Sequence, residues 1–152
     1  MARPVRRTPW EDRFSQPTEL EVLSHYNRQL NGCAAVARKV LRTALSTTER
    51  LEWKGIPWRW TFVFESPVPS ISAFLIPLPA SPRVVITIPG GIAPQLATRH
   101  SPRILRDAIS NAVGVGGMLW PTWDIDTKSR ADEWAEALGL VRHSLMSEAG
   151  VA

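Results

Sequence analysis

The chain is poor in cysteine, tyrosine, lysine and histidine, and it has no long apolar run. Cys33 stands alone, with one tyrosine and three histidines among 152 residues. A single thiol excludes an internal disulfide, and the lack of a second thiol or a His pair at finger spacing excludes a zinc finger. A reducing compartment, the cytoplasm, is therefore expected. The most apolar stretch, 71–92, is broken by Pro77, Pro79, Pro82, Arg83 and Pro89. It falls short of the ~18 uninterrupted apolar residues that a membrane helix requires, so no membrane partner is expected. The opening MARPVRRTPW has the charge of a secretory signal, but EDRFSQ stands where the apolar segment belongs, so export is not expected. A chain of this length buries roughly 70% of its unfolded surface and needs no staple to hold a core.

Charge is present but unevenly placed. The net charge is +4, and the whole excess lies in residues 1–42, which carry eight basic and four acidic side chains. A polyanion-binding surface would therefore be amino-terminal, with Arg3, Arg6, Arg7 and Arg13 joined by Arg28, Arg38, Lys39 and Arg42. Each such contact to a phosphate releases counterions and adds salt-dependent affinity. The plainer role of a cluster diluted by Glu11 and Asp12 is a solvated tail.

Residues 1–16 lack apolar periodicity and read as a flexible basic leader. Residues 17–148 read as a single α+β domain, and 149–152 as a frayed tail. Thr18 and Glu21 form a capping box, after which Leu20, Leu23, Leu30, Ala34, Ala37, Leu41 and Ala44 recur at helical spacing. Asn31-Gly32 leaves one helix or a helix pair open. From Thr47 to Pro89, β-branched and aromatic runs between prolines predict strands, with Trp58, Trp60, Phe62 and Phe64 on one side of one strand. The short connections favour an antiparallel meander of about four to five strands. Ser101-Pro102 predicts a helix start, Gly114 and Gly116-Gly117 its end, and 128–146 a last amphipathic helix. The fold class is α+β, a meander packed against amino-terminal and carboxy-terminal helices.

Signals for catalysis are sparse. Asp124 and Asp126 would share one side of an extended chain, but two carboxylates make no metal cage, and Asp126-Thr127, just before a helix, reads more plainly as an N-cap. The glycine pairs match neither dinucleotide-binding nor P-loop spacing. No metal or cofactor is expected. Seven tryptophans are the most unusual feature. Trp53, Trp58, Trp60, Trp120 and Trp123, with Arg59 between two of them, predict an aromatic cleft as well as core.

The segment ERLEWKGIPWRW (49–60), a helix before it, a meander after it and the later Trp120-Pro-Thr-Trp123 resemble the small YdhG-like (DUF1801) domains over roughly residues 18–146. The resemblance implies a compact α+β domain of frataxin-like appearance, in a family with members described as iron chaperones. An iron-delivering surface needs an acidic ridge, whereas residues 18–46 set Glu19 and Glu21 against Arg28, Arg38, Lys39 and Arg42, so the implication extends to fold and not to iron. The expected function is a small non-catalytic binding domain whose aromatic cleft holds a small ligand or a protein partner. The alternatives are nucleic-acid binding through the basic amino-terminal region, and a small enzyme with an unrecognised site.

Overall fold

The computed structural model describes residues 8–67 and 70–148. Thr18 opens α1 (Glu19–Val22): its hydroxyl accepts the Glu21 amide proton and the Glu21 carboxylate accepts that of Thr18, both at 3.2 Å. That helix lasts one turn. Asn27 then caps α2 (Arg28–Leu45), its side-chain oxygen accepting from the Leu30 amide at 2.9 Å. Asn27→Ala is expected to lower stability by about 1 kcal/mol, read as a shifted urea midpoint at unchanged slope. α2 runs unbroken through Gly32 and buries Cys33, Ala34, Ala37, Leu41 and Leu45. The interruption lies at 23–27 instead, so the helical register does not carry across it. Leu20, expected in the same stripe, is exposed for that reason.

Four consecutive strands, β1 (Arg50–Trp53), β2 (Trp60–Pro67), β3 (Ser70–Pro77) and β4 (Pro82–Ile86), form the antiparallel meander. A short late strand, Thr122–Asp124, completes the five-stranded sheet by pairing with β4. The register aligns Leu51, Phe62, Leu75 and Val84 across one face, with Phe64, Ala73 and Ile86 beside them. α2 lies over β2, β3 and β4 on this face, and its Arg38 guanidinium sits 4.8 Å from the Phe62 ring centroid. The carboxy-terminal helix, Lys128–Glu148, packs beside α2 and buries Trp134, Ala137, Leu138, Val141 and Leu145, as their spacing predicts.

The opposite face runs through Arg50, Val63, Phe74, Val85 and Thr122 by the same register. A second sheet, not anticipated from the sequence, stands beside the first. It consists of β5 (Ile88–Pro89), β6 (Val113–Val115) and β7 (Met118–Trp120), in the order β5-β7-β6. In chain order the Thr122–Asp124 strand is therefore β8. Between β5 and β6 the chain makes a 3-10 turn at Gly90–Ile92, then α3 (Ala93–Leu96) and α4 (Arg103–Ser110), which makes Lys128–Glu148 α5.

Three local expectations are corrected. Gly114, Gly116 and Gly117 do not end a helix: α4 stops at Ser110, and Gly116 (φ 58°) and Gly117 (φ 81°) form the two-residue turn of the β6–β7 hairpin, whose twist demands positive φ at both positions. Pro102, not Ser101, holds the α4 cap position, because the Ser101 hydroxyl accepts instead from the Thr98 amide at 3.2 Å. The N-cap expected at Asp126-Thr127 is present in Thr127, whose hydroxyl accepts from the Arg130 amide at 3.1 Å. The leader expected over 1–16 is part of the fold from at least Trp10, which is core; residues 1–7 and 149–152 lie outside the described residues. No described helix is long and apolar enough to cross a membrane.

Candidate functional site

The β1–β2 connection, 54–59, determines where the aromatic side chains go. The Lys54 amide donates to the Arg59 carbonyl at 2.9 Å and the Arg59 amide to the Gly55 carbonyl at 2.5 Å. Arg59 is left-handed, with φ 60°, which costs a residue with a Cβ roughly 1–2 kcal/mol. Tertiary contacts hold it there: its Nη1 donates to Glu11 Oε1 at 2.8 Å, and the guanidinium lies 4.9 Å from the Trp10 ring centroid. Trp10 is itself anchored, its indole N–H donating to the Trp58 carbonyl at 3.1 Å.

This conformation breaks the two-residue alternation expected from Trp58 onward. β2 starts at Trp60, and Trp58 leaves the side shared by Trp60, Phe62 and Phe64. Trp60 is buried, donates to the Asp12 carbonyl at 2.6 Å and meets Trp53 edge-on at 5.8 Å. Trp58 joins a separate cluster. It lies 5.1 Å from Phe74 and 6.2 Å from Trp120, and the Phe74 and Trp120 rings stack within 4° at 5.8 Å. Trp53, Trp58 and Trp60 therefore do not line one cleft.

The predicted ligand-binding set divides among different surroundings. Trp53 and Arg59 border an open recess of about 610 Å³ with Phe14 and Ile56. Trp58 and Trp120 line a groove of about 360 Å³ with Arg83, Val85, Val113 and Val115. Trp123 is core, 3% exposed, and its indole donates to the Ile104 carbonyl at 3.0 Å. Trp120 reaches both that groove and a more polar recess of about 440 Å³ bordered by Asp107, Arg130 and Glu133. Its indole N–H is buried without a partner among the described residues.

The groove is apolar in its middle and neutralised at its edges. Lys54 Nζ lies 5.6 Å from the Phe74 centroid and pairs with Glu52 at 2.9 Å. Arg83 Nε donates to Asp124 Oδ1 at 2.7 Å. Val113 and Val115, on the neighbouring edge strand, are 66% and 59% exposed. Phe74, Arg83, Val113 and Val115 were missed from the sequence. The signal available for the valines was Val-Gly-Val-Gly-Gly, an alternating strand running into a hairpin turn.

The residues expected to meet nucleic acid also divide. Arg3, Arg6 and Arg7 lie outside the described residues. Arg13 is exposed beside Phe14, and Lys39 borders a recess between α2 and α5 with Arg142. Arg38 and Arg42 are committed to ion pairs within the chain: both bind the Glu49 carboxylate, and Arg38 also reaches Glu19.

The chemistry-bearing groups are scattered. Cys33 is buried, and burial, helped by the negative charge of Asp126, pushes its thiol up and away from the reactive thiolate. Burial likewise raises the Tyr26 hydroxyl, which donates to the Leu78 carbonyl at 2.6 Å. His25 packs 4.2 Å from Tyr26, while His100 and His143 are exposed. Asp124 holds Arg83, and Asp126 lies past the end of β8. Among the described residues no three His, Cys, Asp or Glu side chains gather to hold a metal ion. Comparison with known proteins found no matching family model, no matching curated protein and no matching solved structure.

Proposed function

We propose that this protein is a non-catalytic binding module that receives a flat apolar ligand, or an apolar partner segment, in the groove lined by Trp58, Trp120, Val113 and Val115. The observation that carries the reading is the continuity of two half-buried tryptophan rings, Trp58 and Trp120, seated on the buried Phe74 ring, with two highly exposed valines on the adjacent strand. Contiguous exposed apolar surface of this kind marks binding sites far more often than isolated exposed side chains do. The charged groups around the groove are already paired with one another, Lys54 with Glu52 and Arg83 with Asp124. They orient a ligand's rim without demanding a charge from it. Aromatic contacts of this geometry contribute about 0.5–1.5 kcal/mol each beyond the area they bury.

The test is titration with 8-anilinonaphthalene-1-sulfonate, followed by its fluorescence. Trp120→Ala is expected to weaken binding about tenfold at a temperature where far-ultraviolet circular dichroism shows the variant folded, its melting temperature lowered by loss of the ring's contacts with Phe74 and Trp58. Trp53→Ala, on the other side of the β1–β2 loop, should leave binding unchanged. Equal affinity in Trp120→Ala, or loss only when the protein unfolds, would overturn the reading.

A further inference from the structure

The two sheets end in four edge strands: β1, β8, β5 and β6. Three of them carry the features that normally block edge-to-edge pairing. β1 presents Arg50 and Glu52, held in ion pairs with Glu65 and Lys54. β8 follows Pro121 and ends on Asp124, which holds Arg83. β5 is two residues long and ends on Pro89. β6 carries neither charge nor proline, and its two valines are exposed. The whole stretch from Ala108 to Thr122 lacks a charged residue, in a chain that is 21% charged.

The backbone of β6 is poised for a partner. The two-residue turn makes Val115 and Met118 a hydrogen-bonded pair, so Gly114 and Leu119 form the non-bonded pair that follows. The Gly114 amide and carbonyl therefore face away from β7, along the open edge. Val-Gly-Val also reads the same in both directions. An antiparallel neighbour of identical sequence places glycine opposite glycine and valine opposite valine, the self-complementarity that a twofold contact requires. An uncharged edge meets its own copy without repulsion, whereas a charged peptide finds no free counter-charge on this strand.

We propose that β6 pairs antiparallel with β6 of a second copy of this chain, about a twofold axis at Gly114, joining the two small sheets into one of six strands. Two hydrogen bonds link the glycines, and Val113 lies opposite Val115 of the partner subunit. Val113, Val115 and Trp120 share the groove-lining face of the small sheet. Each copy thereby adds a valine wall to the other's aromatic groove, a role for the pairing that rests on the binding reading above. Two three-residue edges bury much less than the ~800 Å² per partner of a standard interface. Association is accordingly weak and concentration-dependent.

Sedimentation velocity over roughly a hundredfold range of concentration should show a monomer passing to a dimer. Val113→Lys or Val115→Lys, at positions already exposed, should move the midpoint by more than about tenfold without changing the melting temperature. Trp58→Ala should leave the association intact even where it abolishes ligand binding, which separates failure of the groove from failure of the pairing. The register is read by cross-linking. A mixture of the Val113→Cys and Val115→Cys proteins, treated with diamide, should give a disulfide-linked dimer, and neither protein alone should, because each introduced thiol then faces a valine. Cys33 is buried and does not compete. A monomer at every concentration, a dimer indifferent to both lysine substitutions, or equal cross-linking by the single variants would overturn the proposal.

Discussion

Trp134→Ala is expected to lower the free energy of unfolding by about 3–5 kcal/mol, a large share of the ~5–15 kcal/mol that domains of this kind possess. Trp134 is fully buried on α5, one helical turn from Ala131 and Ala137 and two from Val141. Its neighbours along the stripe include residues with almost no side chain, so the ring supplies volume that those alanines cannot. Truncation leaves a cavity that the helix cannot close by repacking small groups, and the cost rises with the cavity that remains. Trp134→Phe should behave differently. The Trp134 indole N–H is buried with no hydrogen-bond partner among the described residues, a penalty of about 1–3 kcal/mol that a phenyl ring removes. Relief of that penalty opposes the loss of volume, so a net change under about 2 kcal/mol is expected. Urea denaturation of the three proteins at constant slope decides the matter. A phenylalanine variant as unstable as the alanine variant would show that the lost ring volume outweighs any relief from removing the unpaired N–H.

The same contrast between local and distant causes explains which parts of the structure were legible in the sequence. The capping box at Thr18, the α5 stripe and the four-strand meander depend on spacings within a few residues, and the structure has each of them. Arg59 is different. Its left-handed backbone is fixed by Glu11 and Trp10, 48 and 49 residues away, and nothing in GIPWRW announces it. That one dihedral sends Trp58 to the groove and leaves Trp60 in the core, dividing a cleft that alternation alone makes continuous. Trp10 was illegible for a related reason, because a single buried ring in a polar segment has no periodicity to detect. The β6–β7 hairpin was legible and misread: the alternation in Val113–Val115 and the glycine pair after it are strand and turn signals, but an apolar helix precedes them, and glycines there also serve as a helix stop. Aromatic content was thus readable, and its division between core and surface was not.

Glu49→Gln is expected to destabilise the protein by about 3 kcal/mol at neutral pH and by progressively less as the pH falls. The Glu49 carboxylate is almost completely enclosed, its side chain 2% exposed. Burial by itself raises a carboxyl, but hydrogen bonds from Arg42 and Arg38 outweigh it and hold Glu49 at about 2. Arg38 Nη2 lies 2.5 Å from Oε1, and Arg42 Nε lies 2.5 Å from Oε2. Because the folded value is depressed, the stabilisation is fully present above the unfolded value near 4.5 and is lost as the pH falls toward 2. At pH 3 the unsubstituted protein should have lost about 2 kcal/mol of this contribution. Gln resembles the protonated side chain at every pH, so the gap between the two proteins should shrink to about 1 kcal/mol there. Exposed pairs such as Arg50 with Glu65 are common to both proteins and cancel in the difference. Paired urea titrations at pH 7 and pH 3 measure it directly. A gap that stays constant with pH would mean that Glu49 contributes shape and packing rather than charge.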